Sequence, residues 1–232
     1  MPAGITTITR MTTTHMTTDL VRLLTWLSPA FPTGAYAYSH GLEWAVEAGD
    51  IRSEHDLLPW VEDVLRHGSG RTDAILLRLA YDAEDAGALA AIAELAAAAQ
   101  PGRERRTETL GQGDAFAIAA RVWGAPLLDA IPGPVAYPVA VGALARAQNV
   151  AVDAAALAFL HAFAANLVSA AVRLVPLGQT AGLRVLAALE PTIAAVAQDT
   201  RGATQDDLGS ACFRSDIASM RHETQYTRLF RT

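Results

Sequence analysis

The 232-residue sequence predicts an all-α, single-domain helical bundle of about ten helices. Three observations lead there. Apolar residues recur at helical spacing along most of the chain, Ala-rich stretches let helices approach closely, and Gly and Pro punctuate the pattern at helix-length intervals. No long polar linker, internal repeat or charge block marks a boundary, so the helices are read as one domain spanning residues 19–219. Residues 1–18 are read as a disordered extension or the product of a misassigned start, given Met11 and Met16, and residues 220–232 as a tail.

The elements follow in order. Leu20, Leu23, Leu24 and Leu27 repeat at helical spacing behind Asp19, a candidate N-cap, for a helix to about Trp26 that Ser28-Pro29 stops. Pro29, Pro32 and Gly34 make a corner, after which a second helix should run through Ala48 and end at Gly49. Ser53 with Asp56 resembles a shortened capping box for a helix through about His67, with Pro59 a caution in its second turn.

Thr72 or Asp73 is expected to cap a helix from Ala74 to about Asp85, and Gly87 to open an Ala-rich one ending before Pro101. The helix from about Arg103 to Trp123 carries Gly111 and Gly113, which cost about 1 kcal/mol each in propensity and so point to close helix contact. Tyr137 to Gln148 reads as a buried helix, although its Val content admits a strand. Asp153 is expected to cap the longest helix, reaching about Val175; Pro176 and Gly178 break it, Thr180 opens the next through about Gln198, and Asp206 and Asp207 start the last helix.

Composition excludes several chemistries. The net charge of -6 repels a phosphate backbone, which argues against nucleic acid as a partner. All 18 basic residues are Arg, as suits a GC-rich genome, and without Lys there is no P-loop, Schiff-base or general-base lysine. The single Cys212 rules out an intrachain disulfide and multi-cysteine metal sites, fitting a cytoplasmic protein. The N-terminus lacks a signal-peptide apolar segment, and no later run reads as uncharged and long enough to span a bilayer, so a soluble protein with no membrane partner is expected.

Candidate chemistry is sparse. Of His15, His40, His55, His67, His161 and His222, no two lie three or four apart on an expected helix, so a helical metal pair is absent. His161 reads as a satisfied core histidine, His222 beside Glu223 as a solvated or interface residue, and Cys212 as a structural thiol. Glu43 and Glu47 share a helix face and could act as acid and base, but a solvated face is the commoner meaning. Between Arg173 and Leu186 the chain breaks a long apolar helix at Pro176 and Gly178 and presents Gln179 and Thr180 beside Arg173, as a plain helix corner or a polar contact surface. No GxSxG, Walker A or GxGxxG motif is present.

The last eighteen residues, Ser215 to Thr232, read as a short helix and a polar, aromatic tail. With no sheet or helix of its own to lie on, such a tail is not expected to bury Tyr226, Leu229 and Phe230 without a foreign surface.

Three segments, SPAFPTGAYAYSHGLEWAVEAG, NLVSAAVRLVPLGQTAG and DIASMRHETQYTRLFRT, together resemble the urease accessory protein F family (UreF), in order and at family-like separations over residues 20–232. The resemblance implies a non-enzymatic, all-α, cytoplasmic homodimer. It also implies a bridge between a scaffold accessory protein of the UreD or UreH type, which contacts apo-urease, and a nickel-carrying GTPase of the UreG type. Nickel is then handled by the complex, with no cofactor and no metal bound stably by this chain, since delivery requires weak coordination at each step.

By the same resemblance the tail orders on the scaffold, with Arg221, His222, Glu223, Tyr226, Arg228, Leu229, Phe230 and Arg231 as its contact residues. Pro29, Pro32, Gly34, Tyr36, Tyr38, Ser39, His40 and Glu43 are the candidate dimer or GTPase interface, though Tyr36 and Tyr38 read equally well as core between the first two helices. Arg173, Pro176, Gln179 and Thr180 form the candidate polar corner. Two other classes stay open at this point: a regulator supplying an arginine such as Arg121, Arg173 or Arg184 to the partner GTPase, and a helical enzyme with its site at that corner.

Overall fold

The computed structural model describes residues 17–232; the predicted disorder of residues 1–16, and His15 with it, lies outside the described residues. Thr17 and Thr18 already belong to α1 (residues 17–26), so Asp19 sits inside that helix and does not cap it. The helices that follow are α2 (Leu42–Glu47), α3 (Glu54–His67), α4 (Ser69–Asp82), α5 (Ala86–Ala98) and α6 (Arg103–Ala120). After them come α7 (Pro126–Asp129), α8 (Tyr137–Ala147), α9 (Val152–Leu174), α10 (Gln179–Asp199) and α11 (Phe213–His222). No strand occurs among the described residues, and Tyr137 to Ala147 is a buried helix as its surroundings predict.

Caps that can be satisfied locally match the sequence. Ser53 Oγ accepts from Asp56 N, and Asp56 Oδ2 accepts from Arg52 N and Ser53 Oγ, so α3 starts where predicted and accommodates Pro59. Caps diverted by tertiary contacts do not match. Helix α4 begins at Ser69 and ends at Asp82, because Thr72 donates to Gly209 O at 3.2 Å and Asp73 is buried; Asp85 instead caps α5, accepting from Ala88 N at 2.8 Å.

Asp153 does not cap α9, since its carboxylate takes Arg78 Nη1 at 2.9 Å and Arg201 Nη2 at 3.0 Å. Thr180 caps nothing, as α10 starts one residue after Gly178. Asp207 reaches back to the backbone N and hydroxyl of Thr204 and closes a 3-10 turn, so the last helix waits until Phe213. At the end of α6, residues Arg121–Trp123 tighten into another 3-10 turn.

The core has two lobes. One gathers α1, α4, α5, α6, α7 and α8 around Trp26, Phe116 and Phe159; the other gathers α2, α3, α10 and α11 around Leu42, Leu57, Leu65 and Leu189. Helix α9 belongs to both, with Ala155, Ala156 and Phe159 in the first lobe and Leu160 through Ala171 in the second. Its length and composition, like those of α10, would allow it to cross a membrane, contrary to the reading of the sequence; half of its most apolar window is buried against this chain. His161, expected in the core, is exposed on α9.

Close contact at the α6 glycines is real and unequal. A Cβ on Gly113 would stand 1.8 Å from Val135 O and 2.7 Å from Tyr137 N, whereas one on Gly111 would meet only the tip of Tyr38, 2.9 Å from its hydroxyl. The Gly113 neighbours are backbone and cannot swing aside. Gly113→Ala is therefore expected to destabilise the chain by about 2 kcal/mol or more despite its gain in helix propensity, and Gly111→Ala by less, as urea denaturation followed by far-UV circular dichroism would measure.

Candidate functional site

Short helix α2 brings the first motif into the interior. The chain turns at Pro29, Pro32 and Gly34, all exposed, passes a 3-10 turn at Ala35–Ala37 and enters α2 through Gly41. Gly41 has φ +79°, and a Cβ there would lie 2.7 Å from Ser219 N, so only glycine lets α2 and α11 meet at this point. The two tyrosines divide the readings between them: Tyr38 is buried in the body, and Tyr36 is 70% exposed.

Ser39, His40 and Glu43 are buried, which removes them from any surface patch. Glu43 is not on a solvated face with Glu47. Its Oε1 accepts from Leu229 N at 2.6 Å, and its Oε2 accepts from Phe230 N at 2.9 Å and faces His222 Nε2 at 3.0 Å. A buried carboxylate is stable only when fully hydrogen-bonded, and the chain's own last residues supply the donors. Glu47, by contrast, is exposed and accepts from Gln225 Nε2.

The tail accordingly lies on its own domain, correcting the expectation that it has nothing to pack against. Phe230 is buried, Thr232 is buried, and a short extended pairing holds them: Arg231 N donates to Ala37 O at 2.8 Å, and Ser39 N and Oγ both donate to Thr232 O at 2.7 Å. His222 is fully buried, with Nδ1 2.7 Å from Glu104 Oε2, so it is neither solvated nor available to a partner. Arg228 pairs with Glu104 Oε1 at 3.0 Å, and Glu223, half-buried, with Arg103 at 3.2 Å. Of the eight tail candidates, Arg221, Tyr226, Arg228, Leu229 and Arg231 remain on the surface, Tyr226 completely so.

At the polar corner Pro176, Gln179 and Thr180 are exposed, while Arg173 turns inward. Its guanidinium lies 3.8 Å from the Tyr36 ring centroid and 4.4 Å from that of Phe230, and Nη1 donates to Tyr36 O at 2.8 Å. One arginine thus joins all three sequence motifs. Of the other arginines weighed as fingers, Arg184 is engaged by Glu54 at 2.8 Å and Arg121 is exposed.

Beside these contacts sits a second buried charge group, in which His40 and Asp73, read from the sequence as an interface residue and a cap, sit with Arg105 and Glu108, which the sequence did not single out. Arg105 pairs with Glu108 Oε2, Glu108 Oε2 also accepts from Thr232 Oγ1 at 2.9 Å, and His40 Nδ1 lies 3.5 Å from Glu108 Oε1. Burial and then the Arg105 charge push His40 down to about 4. Burial opposes Glu108's ionisation, but Arg105 and His40 outweigh it and hold that carboxyl at about 2. Asp73 is pushed up to about 7, by burial first, with Glu108 adding to the effect and Arg105 opposing it.

No group of three or more His, Cys, Asp or Glu side chains placed to hold a metal ion occurs among the described residues. Cys212 is buried, its thiol pushed up to about 11 by desolvation, which keeps it protonated and unreactive at neutral pH.

Two of these shifts oppose each other in their effect on stability. His40, lowered from 6.5 to about 4, contributes stability that is full above pH 6.5 and lost as pH falls through that window. Asp73, raised from 3.8 to about 7, contributes stability that is full below pH 3.8 and lost as pH rises toward 7. Asp73→Asn removes the second effect. Between pH 4 and 6.5 the unfolding free energy of that variant should rise with pH more steeply than that of the parent, by about 1.4 kcal/mol per pH unit, in urea titrations across the range.

Against known proteins, a family model for UreF matches residues 51–190. The urease accessory protein UreF of Rhodopseudomonas palustris (strain BisA53) is 54% identical over 221 residues, covering 92% of this chain and 93% of that protein. That of Bradyrhizobium diazoefficiens is 54% identical, covering 92% and 91%, and that of Methylobacterium sp. (strain 4-46) is 53% identical, covering 90% and 87%. The family model covers more than half of the chain and these relatives about nine-tenths of it, and on that breadth the chain belongs to the UreF family of urease accessory proteins.

Proposed function

We propose that this chain is a non-enzymatic organiser of urease maturation, working in the cytoplasm as a homodimer. It bridges a scaffold accessory protein of the UreD or UreH type, and through it apo-urease, to a GTPase of the UreG type that carries nickel. Nickel is cargo in this reading and passes through the assembly to apo-urease. Family membership supports the setting, and one structural observation carries the bridging role: Tyr226 and Leu229 stand outward, 103% and 68% exposed, on a tail whose backbone is pinned to the body. Exposed aromatic and apolar side chains on an ordered backbone are the composition of interface anchors, which bind without a large ordering cost.

The exposed corner of Pro29, Pro32, Gly34 and Tyr36 is the second contact surface, assigned to the dimer or to the GTPase. Tyr36 is kept in place by Arg173 beneath it, so its ring is presented rather than mobile. Ser39, His40 and Glu43 act from behind, as the buried support of that surface.

Deleting Met220 to Thr232 is a poor test, because it would strip His222, Phe230 and Thr232 from the interior and leave Glu43 and Glu104 without donors. The Tyr226→Ala/Leu229→Ala double variant is the sharper one. It should stay folded and dimeric yet bind the scaffold protein at least about tenfold more weakly by isothermal titration calorimetry, in keeping with the loss of two anchors. Unchanged affinity would overturn the tail as the scaffold contact.

For the corner, Tyr36→Ala should lower dimer mass or GTPase recruitment in light scattering, with far-UV circular dichroism unchanged. A folded dimer that still recruits the GTPase would remove that residue from the interface.

A further inference from the structure

We infer that Ser69 is a reactive serine, a nucleophile that His40 activates and Glu108 orients, and that it takes an acyl group from an activated ester. The modification is covalent and stoichiometric, so it adds no turnover to the organising role and does not rest on it. Every contact it needs lies outside the residues after α11.

Ser69 Oγ lies 2.5 Å from His40 Nε2, and His40 Nδ1 faces Glu108 Oε1 at 3.5 Å. With a proton on Nδ1 toward the carboxylate, Nε2 turns its lone pair to the serine, which is the tautomer a general base requires. The His40 ring is buried and meets the Phe163 ring in a T-shaped contact at 5.1 Å, which fixes its plane away from water. Its backbone is held at φ +60°, a left-handed conformation that a residue with a side chain adopts at a cost, and such positions gather at functional sites.

Ser69 is half-buried, whereas His40 and Glu108 are enclosed, so the hydroxyl is the part of this group that reaches the surface. It is the first residue of α4, set between Gly68 and Gly70 where α3 gives way to α4. A Cβ on Gly70 would stand 2.6 Å from Leu65 Cα, so the turn carries no side chain there. A helix N-terminus favours the negative charge that develops on an acyl oxygen under attack.

In the step itself, Ser69 Oγ attacks the acyl carbon as its proton passes to His40 Nε2. The bond between that carbon and the leaving oxygen then breaks, the departing oxygen takes the proton from the imidazolium, and an ester remains on Ser69 with His40 neutral. Charges around the imidazole decide which donors serve. Arg105 on α6 pairs with Glu108 and opposes a positive His40, and Asp73 on α4 belongs to the same buried group. Burial and then Arg105 leave His40 a weak base, at about 4, which assists only where the leaving group departs easily. Aryl esters meet that condition; alkyl esters and amides do not.

Treating the full-length chain with p-nitrophenyl acetate tests the assignment, and the reaction is clean because no lysine competes for the acetyl group. Peptide mapping by mass spectrometry should find acetyl on Ser69 at least about tenfold faster than on the exposed Ser169. Between about pH 5.5 and 8 the rate at Ser69 should stay within about threefold, since His40 is already neutral there, whereas an unassisted hydroxyl gains about tenfold per pH unit. His40→Asn keeps a residue that tolerates the left-handed backbone, and should slow labelling at least about tenfold with far-UV circular dichroism unchanged. Glu108→Gln no longer fixes the tautomer, so it should replace the level pH profile with one that climbs.

Acetylation of Ser69 no faster than of Ser169, a parent rate that climbs with pH as an unassisted hydroxyl does, or unchanged labelling in folded His40→Asn overturns the assignment. The parent profile requires no substitution, so it decides the matter even where a variant fails to fold.

Discussion

The burial of the Glu43 carboxylate constrains this molecule more widely than any other single contact. A carboxylate inside a protein must find donors, and each donor found here comes from the far end of the chain: His222, Leu229 and Phe230. That requirement brings α11 against α2, draws the extended segment after it along Ala37 to Ser39, and brings Phe230 under Arg173. The geometry tolerates no side chain at Gly41, where α2 and α11 come within backbone contact.

The second constraint is mechanical. Helix α9 runs through both lobes of the core, so the corner it ends in, at Arg173, is fixed relative to the rest of the bundle. The Tyr36 ring lies on one side of that guanidinium and the Phe230 ring on another, which makes Arg173 a joint between the proline corner, the α9 to α10 turn and the tail. A protein whose surface anchors rest on a joint of this kind holds them in a set relation. That is the property an organiser of other proteins needs, since affinity is lost whenever anchors must first be ordered.

Near this joint, Asp73, His40, Arg105 and Glu108 carry opposing preferences for protons, with His40 neutral over the range where Asp73 exchanges its proton. Thr232 bonds to Glu108 through its hydroxyl and to Ser39 through its carbonyl, so this group and Ser39 share that residue and support it from two directions. Changes to either are therefore expected to couple and not to add.

Much of the fold was legible in the sequence because its causes are local. Apolar spacing set the helices, Ser53 with Asp56 set a cap, and Pro and Gly set the breaks; the three motifs were enough to indicate the UreF family. What the sequence could not decide is where polar side chains spend their hydrogen bonds. Asp153 has the look of a cap but serves Arg78 and Arg201; Glu43 has the look of a solvated acid but is buried; His222 has the look of a surface residue but is fully enclosed. In each case the deciding partners lie 48 to 187 residues away, as for Arg201 with Asp153 and Phe230 with Glu43, and no local rule reaches that far. The sequence by itself determined helices, their breaks and their family; only the tertiary structure decided that the tail's inward residues are core and its outward ones surface, because a buried carboxylate selects its donors by position in space and not along the chain.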